Sequence, residues 1–239
     1  MIIVVNSVYK NVIFIYKMPK AIDNFDVNDY NDDFIKNLYT EDFHNYHIKW
    51  FRKKNYNFAK IIYELYNFDS VVDLGCSIGT FLEPFFENGK KVQGYEYCYE
   101  ESVNGIKQID GLIDNVKFGD VTKEIDDNTK YDCSVSIEVA EHIPTEYSES
   151  LVKNLIKLSK GTIIFTAAHP GQGGTGHINC QKKEFWIRLF EKNGYKHNNE
   201  ELIKIKTKCI PSSMAGKEDE YPYVWKHVYE NLMVFTKSK

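Results

Sequence analysis

Charge of one sign is not in excess in this 239-residue sequence, where 30 Lys and Arg face 34 Asp and Glu for a net charge of -4. That balance gives no electrostatic reason to bind nucleic acid or an anionic membrane, so both are unfavoured partners outside a local patch. Cysteine is sparse and unpaired in spacing: Cys76, Cys98, Cys133, Cys180 and Cys209 form an odd set with no CxxC. This excludes a disulfide framework and suits reduced thiols in a cytoplasmic setting. No uninterrupted apolar run is long enough to span a bilayer. Residues 1–16 come nearest, but Asn6, Lys10 and Asn11 interrupt them and no basic segment precedes them, so they read as an extra strand or an attached arm. No internal repeat stands out, and the length suits one large α/β domain.

The most informative stretch is residues 71–81, VVDLGCSIGTF. An apolar run carrying Asp73 turns through Gly75 and Gly79 into a helical pattern, the strand, turn and helix that open a nucleotide-cofactor fold. Glycine lets such a turn tighten and the backbone approach a ligand. Charge discriminates between candidate ligands. A phosphate loop needs Lys then Ser or Thr after the second glycine, whereas Gly79 is followed by Thr80 and Phe81. A dinucleotide would bring a pyrophosphate against Asp73. S-adenosylmethionine has no phosphate and carries an ammonium, a sulfonium and a ribose diol, all of which favour carboxylates nearby.

Further acids follow in order. A strand over 91–97 ends at Glu96 and Tyr97, where a carboxylate accepts ribose hydroxyls. One over 116–118 ends before Asp120 and Val121, beside the adenine amino group, and one over 131–139 carries Glu138 at its tip. The expected donor-binding residues are Asp73, Gly75, Cys76, Ser77, Gly79, Glu96, Tyr97, Asp120, Val121 and Glu138. The series resembles the class I S-adenosylmethionine-dependent methyltransferases over about residues 45 to 237. That resemblance implies a Rossmann-like α/β fold, a seven-stranded, mostly parallel sheet with helices on both faces. Ser77 stands where the family's loop usually has its middle glycine, a change of consequence only if the backbone there needs a positive φ.

Along the chain, residues 21–42 are acidic and Asn-rich with little apolar periodicity, so residues 1–44 read as an arm and lid on a domain of 45–239. From His47 apolar residues recur at spacings of three or four, a helix leading into the first strand. Helices are expected near 79–87, 100–109, 146–159 and 182–193, with later strands over 162–167 and 231–236. Within 195–229, Tyr221, Tyr223, Trp225, His227 and Tyr229 alternate at period two. A strand packed by one aromatic face is the plainer reading, and a loop offering rings to stack on a sugar is the other.

Past the fourth strand, Glu138, Glu141 and His142 form an E-x-x-E-H cluster, on one face if the chain turns helical there. After the fifth strand a glycine-rich loop over 169–181 brings His169 and His177 to the same sheet edge. The cluster, with a further His ahead of an aromatic helix at Glu184, Phe185 and Trp186, looks like two groups of metal-assisted O-methyltransferases, one acting on the terminal 2′-hydroxyl of small RNAs and one on catechol-type precursors. By that resemblance Glu138, Glu141, His142 and His177 are metal ligands, for Mg²⁺, Mn²⁺, Fe²⁺, Co²⁺ or Zn²⁺. Without a metal, His142, His169 or His177 serves as general base. The bland alternative makes these histidines structural. His44, His47, His197 and His227 read as surface or packing residues. The expectation is an O-methyltransferase for a small polar acceptor, a sugar or nucleotide-sugar; an RNA-terminal 2′-O-methyltransferase and a cofactor-binding module without catalysis are the rivals.

Overall fold

The computed structural model describes residues 2–4, 15–17, 27–38, 48, 52–209 and 224–238. Near the start, β1 (Ile2–Val4) and β2 (Ile15–Lys17) pair antiparallel, so the expected extra strand is a two-stranded ribbon. Helix α1 (Asp32–Leu38) follows. Helix α2 (Arg52–Tyr66) buries Phe58, Ala59, Ile61 and Ile62, the three-and-four spacing that the sequence displays.

β3 (Ser70–Leu74) is buried along its whole length. Because successive side chains leave a strand on opposite faces, Val71 joins Phe58, Leu82 and Phe85 in one core, while Val72 and Leu74 join Leu151, Phe165 and Trp186 in the other. A strand apolar on both sides is the mark of a central parallel strand under two helical layers. The remaining strands are β4 (Lys91–Glu96), β5 (Val116–Phe118), β6 (Tyr131–Ser136), β7 (Ser159–Phe165), β8 (Tyr195–His197) and β9 (Met233–Lys237). They form one seven-stranded sheet in the order β5-β4-β3-β6-β7-β9-β8. All pairings are parallel except those of β9 with β7 and with β8. The mixed Rossmann-like sheet is therefore as expected, with β9 its one reversed strand. The chain goes from β3 outward to β4 and β5, then returns to place β6 on the other side of β3. That reversal opens a crevice at the strand C-termini, where such folds bind ligands.

Helices α3 (Glu83–Glu87), α4 (Tyr99–Ile106), α5 (Ser148–Leu158) and α6 (Lys183–Lys192) stand where alternation places them. Two further helices are not legible in the sequence. α7 (Asn199–Cys209) buries only Ile205 and Cys209, too little apolar surface to give a clear period. α8 (Lys226–Asn231) replaces the period-two reading: Trp225, Val228, Tyr229 and Leu232 are spaced i, i+3, i+4, i+7, and this helical pattern wins over the alternation. Tyr221 and Tyr223, like His44 and His47, lie outside the described residues.

Candidate functional site

A cavity of about 270 Å³ opens at the crevice, lined by the loop after β3, the ends of β4 and β6, and the glycine-rich loop after β7. Tyr30 and Ile35, from the segment around α1, also stand on its wall.

Its β3 side is acidic. Asp73 is 3% exposed and its Oδ1 has no hydrogen-bond partner among the described residues. Burial, with Glu96 nearby, pushes this carboxyl well above the usual carboxylate range. A buried acid with an unpaired oxygen is costly unless a cation answers it. Glu96 accepts from the backbone N–H groups of Ser77 at 2.6 Å, Tyr97 at 2.9 Å and Cys98 at 3.0 Å. These three donors fix the orientation of the carboxylate on the cavity wall. Asp120 takes the N–H of Thr122 at 2.8 Å and its hydroxyl at 2.6 Å while facing the same cavity.

Of the expected donor-binding residues, nine line the cavity and Gly79 does not. A Cβ on Gly79 would sit 2.5 Å from Cδ2 of Leu112, and its φ is +77°. This glycine therefore serves as a turning and packing position. Ser77 does occupy the left-handed region, at φ 49°, held by the short bond from its N–H to Glu96. The loop thus carries at Ser77 the strain that a glycine would relieve.

Glu138, Glu141 and His142 do not share a helical face. Glu138 has a φ of 54° and precedes a single 3-10 turn, Ala140–His142. Pro144 forces Ile143 into an extended conformation and prevents the turn from lengthening. The carboxylate of Glu138 accepts the Asn231 amide at 3.0 and 3.2 Å and the Gln172 amide at 3.2 Å.

The other three expected ligands lie closest together, and the carboxyl of Glu138 stands beside that of Glu141. One ligand atom each from Glu141, His142 and His177 lies within 4.8 Å of the others. Glu141 is wholly buried, and its carboxylate is touched by its own N–H group, that of Ala168 and the carboxyl of Glu138. Burial first, then the charge of Glu138, drives its pKa well up. Nδ1 of His142 lies 3.2 Å from the Gly176 carbonyl, and Nδ1 of His177 lies 3.2 Å from the Gln172 carbonyl. A carbonyl can only accept, so these contacts assign the proton to Nδ1 and the lone pair to Nε2 on both rings. Nε2 of His177 is 3.9 Å from Oε1 of Glu141, and the two rings meet nearly edge to face. Imidazoles fixed through Nδ1 by backbone carbonyls, around a buried carboxylate, are the usual surroundings of a metal ion. The residues present therefore fit a divalent cation.

Burial holds His177 below the ordinary histidine value, so it is neutral as a ligand must be. The glycine loop is moulded on this ring: a Cβ on Gly174 would lie 2.1 Å from Nε2 of His177. Asn179, 2% exposed, pins the loop by donating to the Ala140 carbonyl and the Ser148 hydroxyl.

His169 stands apart. It is exposed, contacts the Pro170 carbonyl and does not line the cavity. His227, expected to pack or face solvent, does line it, as does Trp225. Gln172, Asn179 and Asn231 also hold the site together. No local spacing could have revealed them, because each acts across a gap of more than thirty residues.

Sheet order, crevice and acid series together define the class I methyltransferase fold. A methyltransferase-domain family matches residues 43–208, and the chain belongs to it; the protein is a methyltransferase. No curated protein sequence matches the chain. The O-methyltransferase of a trans-AT PKS multienzyme from Brevibacillus brevis, solved with S-adenosyl-L-homocysteine, is similar with a TM-score of 0.53 at 15% identity, covering 92% of this chain and 83% of that one. The methyltransferase domain of bacterial CtHen1-CN gives 0.51 at 15% identity, covering 78% of this chain and 98% of that one. Magnesium protoporphyrin IX methyltransferase from Synechocystis PCC 6803 gives 0.44 at 20% identity, and there the match covers 54% of this chain and 64% of that chain. For the first two, at these identities, the likeness is one of fold.

Proposed function

We propose that this methyltransferase uses S-adenosylmethionine to methylate a hydroxyl of a small polar acceptor, a sugar or nucleotide-sugar, with a divalent cation bound beside the donor. The observation that carries the reading is that two sites of opposite need share one cavity. Asp73, Glu96 and Asp120 lie on one side, suited to an ammonium, a diol and an adenine amino group. Glu141, His142 and His177 line the same cavity, each with a ligand atom within 4.8 Å of the others. The bound S-adenosyl-L-homocysteine of the Brevibacillus enzyme agrees with this donor. Mn²⁺, Mg²⁺ and Zn²⁺ all accept such a mixed set of oxygen and nitrogen ligands.

The cation would lower the pKa of a coordinated hydroxyl and fix its direction. The protein's own part is positioning: Glu96 and Asp73 orient the donor, and the glycine loop pinned by Asn179 closes the acceptor side. Residues 1–44 act in this reading as arm and lid on a domain of 45–239, supported by Tyr30 and Ile35 on the cavity wall and by Leu38, whose Cδ1 would lie 2.6 Å from a Cβ on Gly176. A cytoplasmic location is part of it, supported by five free cysteines. Among the described residues no helix is long and apolar enough to cross a membrane.

The test is calorimetric titration of chelator-treated protein with S-adenosyl-L-homocysteine, with and without Mn²⁺, Mg²⁺ or Zn²⁺, on wild type and Glu141→Ala. Donor binding with a metal response lost in the variant is the expected result. Methyl transfer is then compared on UDP-glucose and on an RNA oligonucleotide. Transfer to RNA alone overturns the sugar assignment and favours RNA-terminal modification, which would also show steep salt dependence.

A further inference from the structure

Methylating a hydroxyl releases a proton, and few groups on the cavity wall can take it. If the protein is the cation-assisted O-methyltransferase proposed above, a premise the role of His227 depends on, then Glu141, His142 and His177 commit their lone pairs to a cation. Glu138 is held on both oxygens by the Asn231 amide, with Gln172 adding a second donor. His169 is outside the cavity wall. His227 remains.

It occupies the second position of α8 and lines the cavity, with its side chain 19% exposed. Its Nδ1 is buried and has no hydrogen-bond partner among the described residues. The Oε2 atom of Glu230, three residues further along the helix, lies 3.9 Å from that nitrogen. On a helix, residues three apart are neighbours, so a small side-chain rotation closes this gap. Catalytic hydrogen bonds are commonly this long before substrate arrives. Trp225 meets the imidazole edge to face at 5.4 Å and restricts its rotation.

We propose that His227, oriented by Glu230, is the base that accepts the proton of the acceptor hydroxyl. With Nδ1–H turned to the Glu230 carboxylate, the lone pair sits on Nε2. The acceptor O–H bond breaks and its proton passes to Nε2. The oxygen pair forms the new O–CH₃ bond as the S–CH₃ bond of the sulfonium breaks, and its electrons leave on sulfur as a neutral thioether. The product is an ether and an imidazolium, so charge balances. Glu230 is a positioning residue that also steadies the imidazolium. Besides burial, Glu138 and Glu230 favour the charged form of His227, while His169, Lys226 and the neighbouring His177 oppose it. Burial is the largest influence and keeps the ring neutral and ready as a base.

The experiment uses the full chain labelled with ¹⁵N-histidine and saturated with S-adenosyl-L-homocysteine. The sequence has seven histidines, and the His227 resonances are those lost in His227→Gln. The expected spectrum at pH 8 shows His227 protonated on Nδ1 with Nε2 bare, shifting toward a tautomer mixture in Glu230→Gln. A proton on Nε2, leaving the lone pair on the buried Nδ1, overturns the proposal. With UDP-glucose as acceptor, His227→Gln should lose on the order of 100-fold or more in kcat while binding S-adenosyl-L-homocysteine and Mn²⁺ as wild type does. Glu230→Gln should lose less and move the acid limb of the pH profile to lower pH. Undiminished kcat in His227→Gln also overturns the proposal. If wild type leaves UDP-glucose unmethylated, the sugar reading fails instead, and the tautomer measurement alone decides the role of His227.

Discussion

Replacing Asp73 by asparagine should strengthen the fold and weaken the donor site together. Asp73 is 3% exposed, with Oδ1 unpaired among the described residues and Glu96 adding like charge. Leaving a buried group of this kind unsatisfied costs about 1–3 kcal/mol. An asparagine side chain carries no charge, so in Asp73→Asn that cost is reduced in the ligand-free protein. For a chain of this length each kcal/mol moves Tm by roughly 2–4 °C, so a rise of at most about 12 °C at pH 8 is expected.

The sign with pH follows from the raised carboxyl. Its contribution to stability is fully present below the unfolded value of about 3.9 and is lost as pH rises through the higher folded value. The advantage of Asp73→Asn should therefore vanish near pH 4 and grow toward alkaline pH. Binding should move the other way. A hydrogen bond to a charged group contributes about 1.5–3 kcal/mol, so affinity for S-adenosyl-L-homocysteine should fall by roughly 10- to 150-fold. Thermal melts across pH 4–9 and calorimetry measure both. A variant less stable than wild type at pH 8, or one that binds with full affinity, refutes the reasoning.

Ser77→Gly should add about 1 kcal/mol by relieving a left-handed serine, read as a higher urea midpoint with an unchanged m-value. Gly79→Ala places a Cβ 2.5 Å from Cδ2 of Leu112 at φ +77° and should cost about 2–4 kcal/mol; a stability change under about 1 kcal/mol would show that Gly79 is not needed for packing. Gly174→Ala drives a Cβ into the His177 ring, so the calorimetric response to Mn²⁺ should disappear while S-adenosyl-L-homocysteine still binds. Asn231→Leu removes the amide that holds Glu138, and kcat should fall more than donor affinity, as separate kinetic and calorimetric measurements would reveal.

The acidic half of the cavity is legible because its information is local. An apolar run that stops at a glycine turn sets a strand and a loop whatever the rest of the chain does, and an acid at each strand end inherits its place from the parallel sheet. Asp73, Glu96 and Asp120 therefore stand on the cavity wall, where the pattern puts them, and Gly79 packs against Leu112. Glu141, His142 and His177 are identifiable as residue types with the right chemistry, but their meeting needs the loop after β7 to fold back on the turn after β6. Helical spacing predicts that Glu138 shares their face. Pro144 and the positive φ of Glu138 prevent it, and these are consequences of how the turn is closed.

By itself the sequence determined the alternation of strands and helices, both faces of β3 as core, and the series of acids. All of these depend on side-chain period and on neighbours a few residues away. Tertiary structure alone decided which nitrogen of His142 and His177 carries the proton, because the carbonyls of Gly176 and Gln172 are set against the rings by the folding of the glycine loop, not by any sequence period. It also decided that Asn231 reaches Glu138 across 93 residues and that His227 turns from an aromatic alternation into the cavity wall. Such contacts follow from closing the sheet around a reversed last strand, which sets β9 beside β7 and so delivers α8 to the crevice, and no local pattern encodes them.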